Sequence, residues 1–343
     1  MHSSSYISSS RERRVTAIKK FVKKVLILLI PVILYMAMFI AFEPYEYFER
    51  RLDGRENITT SPLQAMRAAM RGDVKDLLLG DSRTAHFDTR YLNSVTGKNY
   101  FNLAFGGASM EESIELFYWA DRYNDLDSVS IQISFYTINR KYNLNRIPDM
   151  EDYCTDPLRF MFTWDYHADT WKELYNRIRG IKDLAPVYTD EEREENFRVY
   201  ALESIYPMTE GYGINYDMIE KLREMAEYCE GKGIQLNVIM APMDRSLWEY
   251  VVKPLDLYDE MDEYKRLISE FAVIYDMEYE EMDAYGTSDY ADGFHMMGMQ
   301  NGVDYTSPSF EADYPALADY LKGMYSFSSD HMRVWKNGTV VKE

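Results

Sequence analysis

The stretch Asp76–Asp88, DLLLGDSRTAHFD, runs apolar through Leu77, Leu78 and Leu79 and stops abruptly at Gly80-Asp81-Ser82. Two readings of that stop are open. Gly, Asp and Ser all favour turns for local backbone reasons. Alternatively, the hydroxyl is a nucleophile displayed at the carboxyl end of a buried strand, where open α/β sheets place their ligands.

The flanking sequence supplies the context of an α/β sheet. "VKDLLLG" reads as a first strand, "KNYFNLAF" as a second and "LDSVSIQISFY" as a third. Between the last two, "SMEESIELFYWADRY" reads as a helix capped by Ser109, with acids in its first turn. "YDMIEKLREMAEYCEGKG" has helical periodicity and ends at glycines before a fourth strand, "IQLNVIMAP". "YDEMDEYKRLISEFAVIY" reads as a further helix, with a short fifth strand expected near "MEYEEMD". Strands separated by helices predict a doubly wound, flavodoxin-like parallel sheet. This domain is expected over 74–326, with a less patterned insertion at about 140–215 that reads as a lid or side subdomain. Residues 327–343 read as a tail whose "VWKNGTVV" suggests a hairpin around Asn337-Gly338.

The N-terminus is different material. Residues 1–24 are polar and then strongly basic, and 25–42 follow without a charge. Such a run is about long enough to cross a hydrocarbon core of ~30 Å at 1.5 Å per residue, and Pro31 is tolerated in a membrane helix. A cleaved signal peptide is the competing reading, but the run is long for one and "FIAFEPYEYFER" offers no clear small-residue cleavage site. The basic cluster predicts a cytoplasmic N-terminus. The expectation is therefore a single-pass type II anchor, a juxtamembrane linker or helix over 43–73, and an extracytoplasmic domain.

Composition narrows the function. With 57 acidic against 38 basic residues the net charge is −19, so there is no cationic surplus to release counterions from a nucleic acid backbone. Two cysteines, Cys154 and Cys229, exclude a disulfide framework and leave one bridge open. No metal or cofactor is expected. Thirty tyrosines fit either a sugar-binding groove or plain amphipathic packing.

A hydroxyl becomes a nucleophile only if a base reaches it, and the base needs an orienting acceptor. Of five histidines, His2 falls on the cytoplasmic side, which leaves His86, His167, His295 and His331. Only His295 carries an acid three residues before it, Asp292, in the loop-like "SDYADGFHMMGMQNG". One short turn can then hold the imidazole and the carboxylate that fixes its tautomer. A solvated Asp-x-x-His turn is the plain alternative.

Taken together, Gly80-Asp81-Ser82, "NYFNLAFGGAS" (99–109) and Asp292-Gly-Phe-His295 resemble the ordered blocks of the SGNH (GDSL-like) hydrolases and acyltransferases. The resemblance implies Ser82 as nucleophile, His295 as base and Asp292 as its acid, with the N–H groups of Ser82 and Gly107 in the oxyanion hole. Ser134 and Tyr136 stand where the family's third block carries Gly and Asn. Asn139 is then the candidate replacement oxyanion donor. Asp81 is expected to hydrogen-bond the loop that holds Ser82. Arg83 and His86 are candidate substrate contacts, with an exposed salt bridge the plainer role for Arg83.

Within the family, the chain is similar to the membrane-anchored branch that acts in exopolysaccharide O-acetylation or teichoic acid D-alanylation. That implies acyl transfer to a cell-surface glycopolymer, beside a multi-spanning membrane-bound O-acyltransferase. The acidic balance favours a neutral glycan acceptor. A carbohydrate esterase using the same residues and a non-catalytic member of a polymer-modification complex remain the alternatives.

Overall fold

The structure, a computed structural model, describes residues 4–45, 47–48, 61–86, 88–180, 189–299 and 303–342. Residues 49–60 of the stretch read as a linker and 181–188 of the insertion lie outside them. The chain divides into two compact units: Met1–Gly54 with Phe162–Lys182, and Arg55–Met161 with Asp183–Glu343.

The larger unit is built on one seven-stranded sheet. Its strands are β1 (Asp76–Leu79), β2 (Tyr100–Asn102), β3 (Ser128–Ile133), β4 (Gln235–Met240), β5 (Val273–Asp276), β6 (Arg333–Lys336) and β7 (Thr339–Lys342). The order is β2-β1-β3-β4-β5-β6-β7, with β1 to β5 parallel, β6 antiparallel to β5 and β7 antiparallel to β6. The parallel part thus has the 2-1-3-4-5 order of flavodoxin-like sheets. All six residues of β3 are buried, as a central strand covered on both faces requires. Side chains alternate across the sheet. Leu78 of β1 and Ile239 of β4 share a core cluster with Leu92, Leu317, Leu321 and Met324 from the helices Thr89–Thr96 and Pro315–Tyr325. Helices Met110–Asp121 and Tyr216–Lys232 pack on each other and against β1, β3 and β4.

The fifth strand lies earlier than "MEYEEMD": β5 is Val273–Asp276, cut from the end of what reads as a helix. The helix stops at Ser269. A short apolar run such as Ala272–Tyr275 has no periodicity of its own to separate it from a helix end, and pairing with β4 decides it. The hairpin at Asn337-Gly338 forms, with both residues at positive φ (54° and 75°), as a two-residue type I′ turn requires. It extends the sheet beyond β5.

In the smaller unit, the helix Ser4–Phe42 contains the segment Val15–Phe42, whose most apolar 18-residue window has a mean hydropathy of 2.9, long and apolar enough to cross a membrane. The helix Trp164–Arg179, from within the insertion, packs on it. In the larger unit, Cys154 and Cys229 are both buried free thiols.

Candidate active site

The chain can turn at the end of β1 only because residue 80 is glycine. Gly80 has φ +144°, and a Cβ there would sit 2.8 Å from the Gln132 Cβ and 2.9 Å from its Oε1. Asp81 then caps a one-turn helix, Ser82–Ala85, by accepting from the Arg83 N–H at 2.9 Å. Ser82 is therefore the first residue of the helix, three past the end of the strand, and it is only partly buried.

The base arrives from the far end of the sequence. Asp292 Oδ1 accepts from the N–H groups of Phe294 (3.0 Å) and His295 (2.8 Å), so the Asp-x-x-His spacing closes on itself as a turn. Ala291 donates to the His295 carbonyl at 2.7 Å. Gly293 takes φ +83° within that turn, and a Cβ there would lie 3.0 Å from Ser246 Oγ. Its carbonyl accepts from the Asp244 N–H at 2.8 Å, which ties the loop to the segment after β4.

Ser82 Oγ lies 2.6 Å from His295 Nε2, and His295 Nδ1 lies 2.8 Å from Asp292 Oδ2. With the Nδ1 proton on the Asp292 side, Nε2 is left to accept the Ser82 proton. Burial pushes the Asp292 carboxyl up, but the His295 charge and the hydrogen bonds from His295 and Phe294 outweigh it and hold it below its ordinary value.

Gly107 is tied to the same place through the backbone. After β2, Leu103 donates to the Leu78 carbonyl (2.9 Å) and Phe105 to that of Gly80 (3.2 Å), while the Asn102 side chain donates to the Thr84 carbonyl (2.8 Å). Gly107 has φ +62°, and its carbonyl accepts from Tyr142 Oη (2.8 Å) and Arg146 Nη2 (2.9 Å). Neither the Ser82 nor the Gly107 N–H makes a hydrogen bond among the described residues.

Two side chains, Asn139 and Arg83, are placed otherwise than the sequence suggests. Asn139 is fully buried, donates to the Met208 carbonyl at 2.7 Å and accepts from the Gly213 N–H at 3.3 Å. Its carboxamide thus pins the 208–214 loop rather than serving an oxyanion. Arg83 is neither a substrate contact nor an exposed ion pair: it is 1 % exposed. Its guanidinium donates to both Asp81 oxygens (3.3 and 3.0 Å) and lies 4.1 Å from the centre of the Phe294 ring. Tyr136, where the family has Asn, donates to Asp81 Oδ2 at 2.5 Å. Burial raises the Asp81 carboxyl, yet the Arg83 charge, with hydrogen bonds from Arg83 and Tyr136, holds it below the usual range. Neighbouring Ser134 donates to the buried Glu278 at 2.5 Å. A run of buried polar groups thus underlies the Ser82 turn.

His86 stands beside the base, its ring edge-on to that of His295 with centroids 5.4 Å apart. Burial first, then the proximity of His295, lower it to about 4, so it is neutral at physiological pH. Sequence reasoning missed Tyr200. In the helix Asp190–Tyr200, Arg193, Phe197 and Tyr200 follow at i, i+4 and i+7, one face of the helix. Arg193 donates to the Tyr290 carbonyl at 3.0 Å, and Phe197 lies 3.7 Å from the position of a Gly293 Cβ. Burial, then the charges of Asp292 and Asp81, raise the Tyr200 phenol above its ordinary value. Helical spacing back from Tyr200 was the only sequence signal, in a segment that reads as unpatterned.

The class defined by fold and site is a mostly parallel α/β sheet with a Ser-His-Asp arrangement at the carboxyl ends of its strands. Compared with known proteins, the chain matches no family model and no curated protein.

Proposed function

We propose that this chain is an SGNH-type serine acyltransferase, anchored by its N-terminal helix, that moves an acyl group onto a cell-surface glycopolymer. The observation that carries the reading is the pair of contacts Ser82 Oγ–His295 Nε2 at 2.6 Å and His295 Nδ1–Asp292 Oδ2 at 2.8 Å. A hydroxyl in a hydrogen bond to a base that is itself oriented by a carboxylate is the arrangement nucleophilic catalysis needs.

In the first half-reaction Ser82 Oγ attacks the acyl carbonyl as its proton passes to His295 Nε2. The oxyanion is held by the N–H groups of Ser82 and Gly107. Collapse breaks the bond to the leaving group, which takes the proton from the imidazolium and leaves an ester on Ser82. In the second half a sugar hydroxyl gives its proton to His295 and attacks that ester, and the proton returns to Ser82 Oγ. Water in place of the sugar turns the same steps into an esterase. The basic cluster before the apolar run supports a cytoplasmic N-terminus and an extracytoplasmic catalytic unit, beside a multi-spanning O-acyltransferase that delivers the acyl group.

The test treats one sample with a serine-directed phosphonate and a second, unlabelled sample with an acyl donor and a neutral oligosaccharide. Labelling at Ser82, absent in Ser82→Ala, and acyl-sugar formed in water support the transferase. Labelling with free acid as the only product makes it an esterase. No labelling of the folded protein overturns both.

A further inference from the structure

We propose that the helix Trp164–Arg179 is a membrane-interface element that lies in the bilayer surface beside the N-terminal anchor. The inference rests on reading that anchor as membrane-spanning. It starts from an apolar stripe that folding leaves largely exposed, although its Trp171 ring stacks on that of Tyr35 with centroids 6.2 Å apart and its Tyr175 hydroxyl accepts from Arg179 Nε at 3.2 Å. Trp164, Trp171, Tyr175 and Ile178 are 78, 52, 54 and 76 % exposed, and Ala168 between them is exposed too. Their spacing of 4, 3, 4 and 3 residues places all five on one face of an α-helix. Scattered apolar residues on a surface need no explanation, but a continuous stripe with two tryptophans does.

The other two faces of this helix are accounted for. His167 and Thr170 are buried, and His167 Nδ1 meets Tyr35 Oη of the N-terminal helix at 3.0 Å, while its ring lies 4.3 Å from that of Phe39. Arg177 stands over the Phe42 ring at 5.6 Å. On the opposite side Asp165, Lys172 and Arg179, seven residues apart, form an exposed charged row. The apolar stripe lies between the face held by the anchor and this charged row.

The contacts with the anchor set the depth. From Val25, the first residue after the basic cluster, Tyr35 is about 15 Å along the helix axis and Phe42 about 26 Å, at 1.5 Å per residue. In a hydrocarbon core of ~30 Å the segment Tyr35–Phe42 therefore occupies the half distal to the basic cluster. A helix packed against it has lipid rather than water along its uncovered side. Tryptophan and tyrosine are the residues that settle at the headgroup boundary. One apolar face beside a charged one is the composition of helices that lie in the interface. The stripe is thus matched to the membrane the anchor crosses.

The test places an environment-sensitive fluorophore on the full chain at Ile178→Cys, Lys172→Cys or Ile30→Cys, the native cysteines being buried. The labelled proteins are reconstituted in phosphatidylcholine–phosphatidylglycerol vesicles holding nitroxide lipids, with the nitroxide near the headgroup or deep in the chain. The expected result is severalfold stronger quenching at 178 than at 172 by the shallow nitroxide, and quenching at 30 by the deep one. Deep quenching at 30 with equal, weak quenching at 178 and 172 overturns the proposal and leaves the anchor standing. Shielding of 178 in native membranes but not in pure lipid assigns the stripe to a protein and likewise overturns it. Absence of quenching at 30 removes the anchor reading and this inference together.

Discussion

Arg83 bridges the two halves of the site: it is ion-paired to Asp81 at 3.0 Å, and its guanidinium stacks 4.1 Å from the centre of the Phe294 ring. One buried cation thus joins the turn that presents Ser82 to the loop that presents His295. Removing one partner of a buried pair strands the other. Arg83→Met is expected to lower unfolding free energy by about 3–5 kcal/mol, read in urea. A loss under about 1 kcal/mol, the worth of a surface pair, excludes this role.

Asn139→Ala separates structure from chemistry. It orphans the Met208 carbonyl and the Gly213 N–H, at a cost of about 1–3 kcal/mol, while the folded protein keeps its rate of phosphonate labelling. An oxyanion donor would instead cost about 10²–10³ in rate, and such a loss would return Asn139 to the reaction.

The acid limb of stability follows from Asp81 and Asp292, both held below their ordinary values in the folded chain. Because the unfolded state binds protons first on acidification, their contribution is fully present above about pH 4 and is lost as pH falls through the folded values. The slope of unfolding free energy against pH below about 4 is expected to flatten in Asp81→Asn. An unchanged slope refutes the assignment.

His86 titrates at about 4 in the folded chain against an ordinary value of about 6.5. The sign is again that of a depressed group: its contribution is present above the unfolded value and declines as pH falls toward the folded one. In a ring-proton NMR titration, His86 is expected to remain neutral at pH 6. A midpoint near its ordinary value contradicts its placement beside His295.

If Ser82 and His295 act as a unit, Ser82→Ala, His295→Ala and the double variant share one residual acyl-transfer activity. Multiplied losses point to independent roles. For topology, protease added to intact cells is expected to degrade the chain beyond residue 43 and spare its N-terminus; full protection overturns the type II orientation.

The alternation of strands and helices, the apolar N-terminal helix and the self-closing Asp292–His295 turn were legible because each rests on neighbours in the chain. Periodicity and capping act within about one turn, so residue order records them. The start of β5 was not legible, since only pairing with β4 ends the preceding helix at that place.

What residue order leaves open is which distant groups meet. Ser82 and His295 are 213 residues apart, and the crossovers of the parallel sheet bring them within 2.6 Å. Arg83 reads as a surface charge because burial depends on what covers it, here Asp81, Phe294 and Glu278. Asn139 reads as a spare donor because its partners, Met208 and Gly213, lie some seventy residues onward. Local sequence thus determined the elements and the chemistry each could offer. Tertiary packing alone decided which polar groups are desolvated, since a desolvated group must find a partner wherever the fold supplies one.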